Sequence, residues 1–236
     1  MDTRLRIRML PQPDETTCGP TCLHAIYGYY GEKLELRAVI GRTRRLDHGG
    51  TLAALLGCHA LRRGYGAALY TYNLQVFDPT WFDPGVPDLA EKLREQYRKK
   101  KRKRLRTATR AFIDFLKLGG SIRFEDLTGA LIRSTLDRGR PVLAGLSATY
   151  LYGTPREHGR SSEYDDVRGR PSGHFVVLCG YAKSARTVLV ADPLFPNPRF
   201  ETQVYEIGMD RLINAILLGI LTYDGNLLVI EPRKKA

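Results

Sequence analysis

Cys18 is followed by Gly19-Pro20-Thr21 and then by Cys22, Leu23, Ala25, Ile26 and Tyr29 at helical spacing, which puts it in the first turn of a helix. A cysteine is a nucleophile only as its thiolate, a form that a helix N-terminus and a cationic histidine both favour. The histidine must come from elsewhere in the chain, and a carboxylate or amide must fix its ring. His174 and Asp192 meet this need. His174 stands before the apolar run Phe175 to Tyr181 and Asp192 after the run Thr187 to Ala191, so antiparallel pairing of the two runs brings both residues to the same end. Asp192 can then accept from one ring nitrogen of His174 while the other faces Cys18. Attack on an amide carbonyl also needs donors for the oxyanion, each worth about 3 kcal/mol. Gln12, six residues before Cys18 and flanked by Pro11 and Pro13, is the side-chain candidate, to act with the backbone N–H of Cys18. Such chemistry needs no metal and no organic cofactor.

These four positions are far apart in the chain, so the elements between them must bring them together. Residues 4 to 9 alternate Arg and apolar with period two and predict a half-buried edge strand ended by Pro11 and Pro13. Thr16-Thr17 and Pro20 suit a capped helix start, and Gly31 suits its end. Short helices are expected near 35–40 and 51–63, then a strand at 67–72. The span 88–118 has a helical pattern whose apolar residues thin out at its basic centre, which predicts a protruding helix or helical hairpin. A helix at 124–136 and a buried strand at 141–147 follow. Residues 152–173 lack periodicity and form a long loop, usually functional when it interrupts a compact domain. The two runs around His174 and Asp192 form a hairpin, and a helix near 209–218 and a hairpin at Asp224-Gly225 close the chain. Helices first and strands last define an α+β fold, expected as a single domain over 1–236 with a basic helical insertion at about 78–120.

Composition narrows the function classes. The 236 residues are 43% hydrophobic and 26% charged, the balance of a globular protein. The longest nearly unbroken apolar stretch, 212–221, falls well short of a membrane span. The N-terminus alternates charges with apolar residues, so no secretory signal is expected, and the four scattered cysteines fit free thiols in a reducing, cytoplasmic setting. The net charge of +12 is mostly local: Arg98 to Arg106 holds eight basic residues in nine, and +4 is left when those are set aside. That run calls for a counter-charged partner. An acidic peptide substrate ranks ahead of nucleic acid, because no aromatic residue is interleaved with the charges.

With these residues in view the chain resembles a known family. Pro11-Gln12, Cys18-Gly-Pro-Thr-Cys-Leu23, Tyr30-Gly31, Gly50-Thr-Leu52, Gly139-Arg-Pro-Val142, Gly173-His-Phe-Val-Val177 and Val190-Ala-Asp-Pro193 are similar to the bacteriocin-processing peptidases. Those are papain-like cysteine peptidases, best known as exporter domains that cleave leader peptides after a double glycine. The likeness covers 9 to about 75 and 125 to 195. It implies a papain-like fold, with a helical part carrying Cys18 packed on an antiparallel sheet carrying His174 and Asp192. It further implies Cys18 as nucleophile, His174 as general base and acid, Asp192 as orienting residue and Gln12 as oxyanion donor. The sequence departs from the pattern at Thr17, commonly acidic in the family, and Thr21, commonly alanine. No transporter segment and no phosphate loop accompany it, so the substrate need not be a double-glycine leader.

The implied reaction is hydrolysis of a peptide or isopeptide bond through a thioester. Transfer of the same acyl group to an amine, or a degenerate fold that only binds peptide or nucleic acid through its basic helix, are the rival readings. Cys22, Cys58 and Cys179 sit in apolar runs and read as core. A zinc site at Cys18, Cys22 and His24 lacks a second paired motif. His48, beside Gly49-Gly50, could border the cleft; His24, His59 and His158 have no carboxylate context.

Overall fold

The computed structural model describes residues 2–47, 49–86, 88–159, 162–223 and 225–233. In chain order the elements are β1 (Thr3–Arg4), α1 (Cys18–Tyr29), α2 (Leu36–Arg42), α3 (Ala53–Arg62), β2 (Tyr65–Thr71), α4 (Leu89–Lys99), α5 (Lys103–Lys117), β3 (Ser121–Arg123), α6 (Gly129–Asp137), β4 (Val142–Ser147), α7 (Ala148–Tyr152), β5 (Glu157–His158), β6 (Glu163–Tyr164), β7 (Gly173–Ala182), β8 (Thr187–Ala191), β9 (Val204–Gly208), α8 (Met209–Leu218) and β10 (Asn226–Pro232). One sheet runs β3-β2-β10-β4-β7-β8-β9, with β1 also paired to β7. Among the described residues only β2 and β3 pair in parallel, and β5 and β6 pair antiparallel as a separate two-stranded sheet in the long loop.

The central strands are continuous apolar runs because both faces are covered. Along β7, Phe175, Val177 and Cys179 point into a core shared with α1, α3 and α5. The alternate residues Val176 and Leu178 point into a second core shared with α6, α7 and α8. The α+β class therefore takes the form of an antiparallel sheet between two helical layers, with the Cys18 helix on one of them.

Several sequence expectations are corrected. The period-two stretch at 4–9 stays with β7 only as far as Leu5, whose N–H bonds the Cys179 carbonyl at 2.7 Å; the N–H of Ile7 then turns back to the carbonyl of Leu5, which takes the chain off the ladder although Met9 stays buried. The basic span is two helices, broken between Lys99 and Lys103 where Lys100 is extended, so that the run from Arg98 to Arg106 does not form one continuous helix. This hairpin does not protrude. Leu105, Ala108, Phe112 and Phe115 of α5 recur at helical spacing and are buried in the core that contains α3. Strand β3 and helix α7, too short to show a period, were not expected. The closing hairpin falls partly on Asp224, outside the described residues; the flanks join a 3-10 turn (Gly219–Thr222) to β10.

Candidate active site

Cys18 is the first residue of α1, with 9% of its surface exposed. Its helix is not capped as the sequence suggests. The Thr17 hydroxyl turns away to the carbonyl of Asp14 at 3.0 Å and accepts from the Asp14 N–H at 3.2 Å, so no side chain covers the first-turn amides among the described residues. Those amides are the positive end of the helix and remain pointed toward the site. Gly19 is required by packing: a Cβ there would lie 2.7 Å from Cγ2 of Thr51 and 3.2 Å from Cδ2 of Phe175. The helix start is thereby pressed against β7.

His174 is the second residue of β7, and Asp192 lies one residue past β8. Val177 faces Ala191 in the pairing of these strands, so Asp192 is diagonal to His174 on the same face. Asp192 Oδ1 is 2.8 Å from His174 Nε2 and both side chains are buried. Because Asp192 takes Nε2, Nδ1 is the nitrogen left free, and Cys18 lies close enough to favour the charged form of the ring. Burial opposes the imidazolium, but the Asp192 charge and hydrogen bond, with the Cys18 contribution, outweigh it and push His174 up to about 10. Burial likewise opposes the Asp192 carboxylate, yet the His174 cation and the donors around it hold its pKa below the ordinary value.

Those donors were not found from sequence. Besides His174, the Asp192 carboxylate accepts from Tyr152 Oη (2.8 Å), Tyr205 Oη (2.6 Å), Asn197 Nδ2 (3.3 Å) and the Leu194 N–H (2.9 Å). An ionised carboxylate has about four lone-pair sites, and one imidazole fills one of them. That such donors had to exist was deducible; which residues supply them was set by α7, β9 and the turn after β8, none of which carries a sequence signal for it. Burial and the adjacent negative charge push both tyrosine hydroxyls far up, so they stay donors.

Gln12 reaches the same place by its backbone. Its N–H bonds the Pro193 carbonyl at 2.8 Å, tying the loop before α1 to the residue after Asp192. Its side chain lines the cleft that contains His174. Nε2 gives one hydrogen to the Asp14 carbonyl at 3.0 Å, and its second hydrogen has no acceptor among the described residues. The buried Oε1 is likewise unpartnered among them. The cleft, about 1140 Å³, is walled by the long loop, including Glu157 and Tyr164, and by Pro196, Asn197 and Pro198.

The remaining candidates lie elsewhere. Cys22 is buried one turn after Cys18 and donates to the Phe175 carbonyl at 3.2 Å, while Cys58 and Cys179 are buried free thiols. His24 bonds the Leu34 carbonyl and His59 the Tyr27 hydroxyl. His158 is exposed on β5, and His48 lies outside the described residues.

The Peptidase_C39 like family model matches residues 4–211, and the chain belongs to that family. Membership supports a cysteine peptidase as the class of protein. Among solved structures, one described as a C39-like peptidase from Bacillus anthracis is 12% identical with a TM-score of 0.52, covering 99% of this chain and 98% of that one. It shows the fold. A double glycine motif protease from an AMS/PCAT transporter, solved with its leader peptide, is 14% identical with a TM-score of 0.47, covering 99% and 96% of the two chains. The peptidase domain of Streptococcus ComA, a bifunctional ABC transporter of a quorum-sensing pathway, is 14% identical with a TM-score of 0.43, covering 97% and 100%. No curated protein matches the chain. No helix among the described residues is long and apolar enough to cross a membrane.

Proposed function

We propose that the chain is a cysteine peptidase that cleaves a peptide or isopeptide bond through Cys18, His174 and Asp192, in a single domain that carries 78–120 as a basic helical insertion. The observation that carries this reading is the buried His174–Asp192 pair, which leaves the second ring nitrogen free, together with Cys18 at an uncapped helix start.

With the Cys18 proton held on His174 Nδ1 as a thiolate–imidazolium pair, Sγ attacks the substrate carbonyl carbon, and the carbonyl π electrons move to oxygen. The oxyanion accepts from the Cys18 N–H and from the spare hydrogen of Gln12 Nε2. Collapse breaks the C–N bond as His174 returns its proton to the leaving amine, and a thioester on Cys18 remains. Water, deprotonated by His174, attacks the thioester and releases acid and thiol. Asp192 keeps Nε2–H as the occupied side of the ring throughout, so that Nδ1 is always the working nitrogen.

Hydrolysis of a peptide library by wild type, Cys18→Ala and His174→Ala tests this. Activity in wild type alone is expected; equal turnover in all three removes the assignment.

A further inference from the structure

A second concavity, about 480 Å³, lies between the loop after α2 and the α4–α5 hairpin. Its lining includes Arg44, Arg45, Lys101, Lys103, Arg106 and Arg110, with Asp47 the only carboxylate among the described residues. Two of these cations pair with carboxylates: Lys103 with Asp47 at 3.0 Å and Arg44 with Asp114 at 3.2 Å. Others donate to neutral oxygens. Arg106 bonds the carbonyl of Tyr97 at 2.5 Å, Arg110 its hydroxyl at 2.9 Å, and Lys101 the carbonyl of Arg98 at 2.8 Å. These contacts fix the side chains and leave their charge uncompensated, so the pocket attracts anions.

Asp47 lines this pocket and also the cleft beside His174, so the two are contiguous. They differ in charge, the pocket being rich in guanidinium and ammonium groups. The cleft lining contains Glu15, Asp47 and Glu157 and, among the described residues, no lysine or arginine. We propose that the basic pocket is a docking subsite for an acidic segment of the peptide substrate lying away from the scissile bond, whose own surroundings are uncharged or basic. This rests on the peptidase reading above and adds the substrate's charge pattern to it. Nucleic acid fits less well. Its unpaired bases need open aromatic faces, and the ring of Tyr97, the aromatic residue of the pocket, is covered by the Arg106 guanidinium at 3.8 Å.

Binding is measured by fluorescence anisotropy on the full chain carrying Cys18→Ala, so that it is read without cleavage. The probes are a labelled dodecapeptide with six consecutive glutamates, its all-glutamine counterpart, and single-stranded and duplex DNA of twelve nucleotides. The glutamate peptide is expected to bind at least about tenfold tighter than the glutamine one, and to weaken about tenfold on adding Arg106→Gln and Arg110→Gln. Lys101→Glu, on the exposed turn between the helices, is the variant least demanding on folding and is expected to weaken binding several-fold. Thermal melting of each variant reports whether it is folded. Equal affinity for the two peptides, unchanged affinity in folded variants, or DNA binding tighter than the glutamate peptide through the same residues would each overturn the proposal. Specific capture of the glutamate peptide by a chain that cleaves nothing would defeat the peptidase reading and leave the pocket assignment standing. In the active chain, the pocket substitutions should raise KM for a substrate with an acidic segment and leave kcat near the wild-type value.

Discussion

His174 Nε2 and Asp192 Oδ1 meet at 2.8 Å between adjacent strands, at the end of the sheet where α1 begins with Cys18. The carboxylate is wholly buried and receives five hydrogen bonds, of which the imidazole gives one. It is thus a fixed, ionised anchor, and the ring it holds has one nitrogen left for sulfur.

Replacing Asp192 by Asn removes that charge and leaves His174 buried without a counter-ion. Breaking a buried pair by one partner costs about 3 kcal/mol, and loss of the orienting group lowers kcat by a factor on the order of 10³ or more. Denaturant titration and steady-state kinetics check the two effects separately.

Tyr152→Phe and Tyr205→Phe each delete one donor to Asp192 Oδ2 without changing volume much. Each should cost about 1–2 kcal/mol of stability, read by urea unfolding, because a buried carboxylate loses part of its solvation. The double variant should lose more than either single one, since both hydroxyls serve the same oxygen.

Gln12→Ala should lower kcat by about 10²-fold with little change in KM, the signature of a donor used only when charge develops on oxygen. The fold should persist, because the backbone bond from residue 12 to Pro193 does not involve the side chain. Unchanged kcat would assign the oxyanion to other donors.

Stability should depend on pH through the same pair. His174 is raised from 6.5 to about 10 on folding, so its contribution is full below pH 6.5 and is lost as pH rises through 10. Asp192 is lowered from 3.8, so its contribution is present above that value and lost as pH falls below it. The melting-temperature difference between wild type and Asp192→Asn should therefore be largest between pH 4 and 6.5 and shrink toward pH 10. A difference flat across that range would contradict an ionised pair.

The sequence carried the strongly patterned parts well. The helix behind Cys18, the β7–β8 hairpin and the buried strand at 142–147 follow from apolar periodicity and glycine placement, and the juxtaposition of His174 with Asp192 follows from antiparallel pairing alone. What stayed hidden depends on tertiary context. The stretch at 6–9 alternates like a strand yet leaves its partner, because a local turn takes the Ile7 N–H. The basic helix reads as exposed, since its cations dominate the composition, while Phe112 and Phe115 on its other face bury it against α3. Tyr152, Tyr205 and Asn197 come from separate elements and are recognisable only once Asp192 is known to be buried.

Covalent trapping tests the central claim most directly. The protein is treated with a panel of peptidyl vinyl sulfones, digested, and the modified residue located by mass spectrometry. The account predicts a single adduct on Cys18, lost in His174→Ala. An adduct on Cys22, Cys58 or Cys179 in the folded protein, or undiminished labelling of Cys18 without the imidazole, would contradict it.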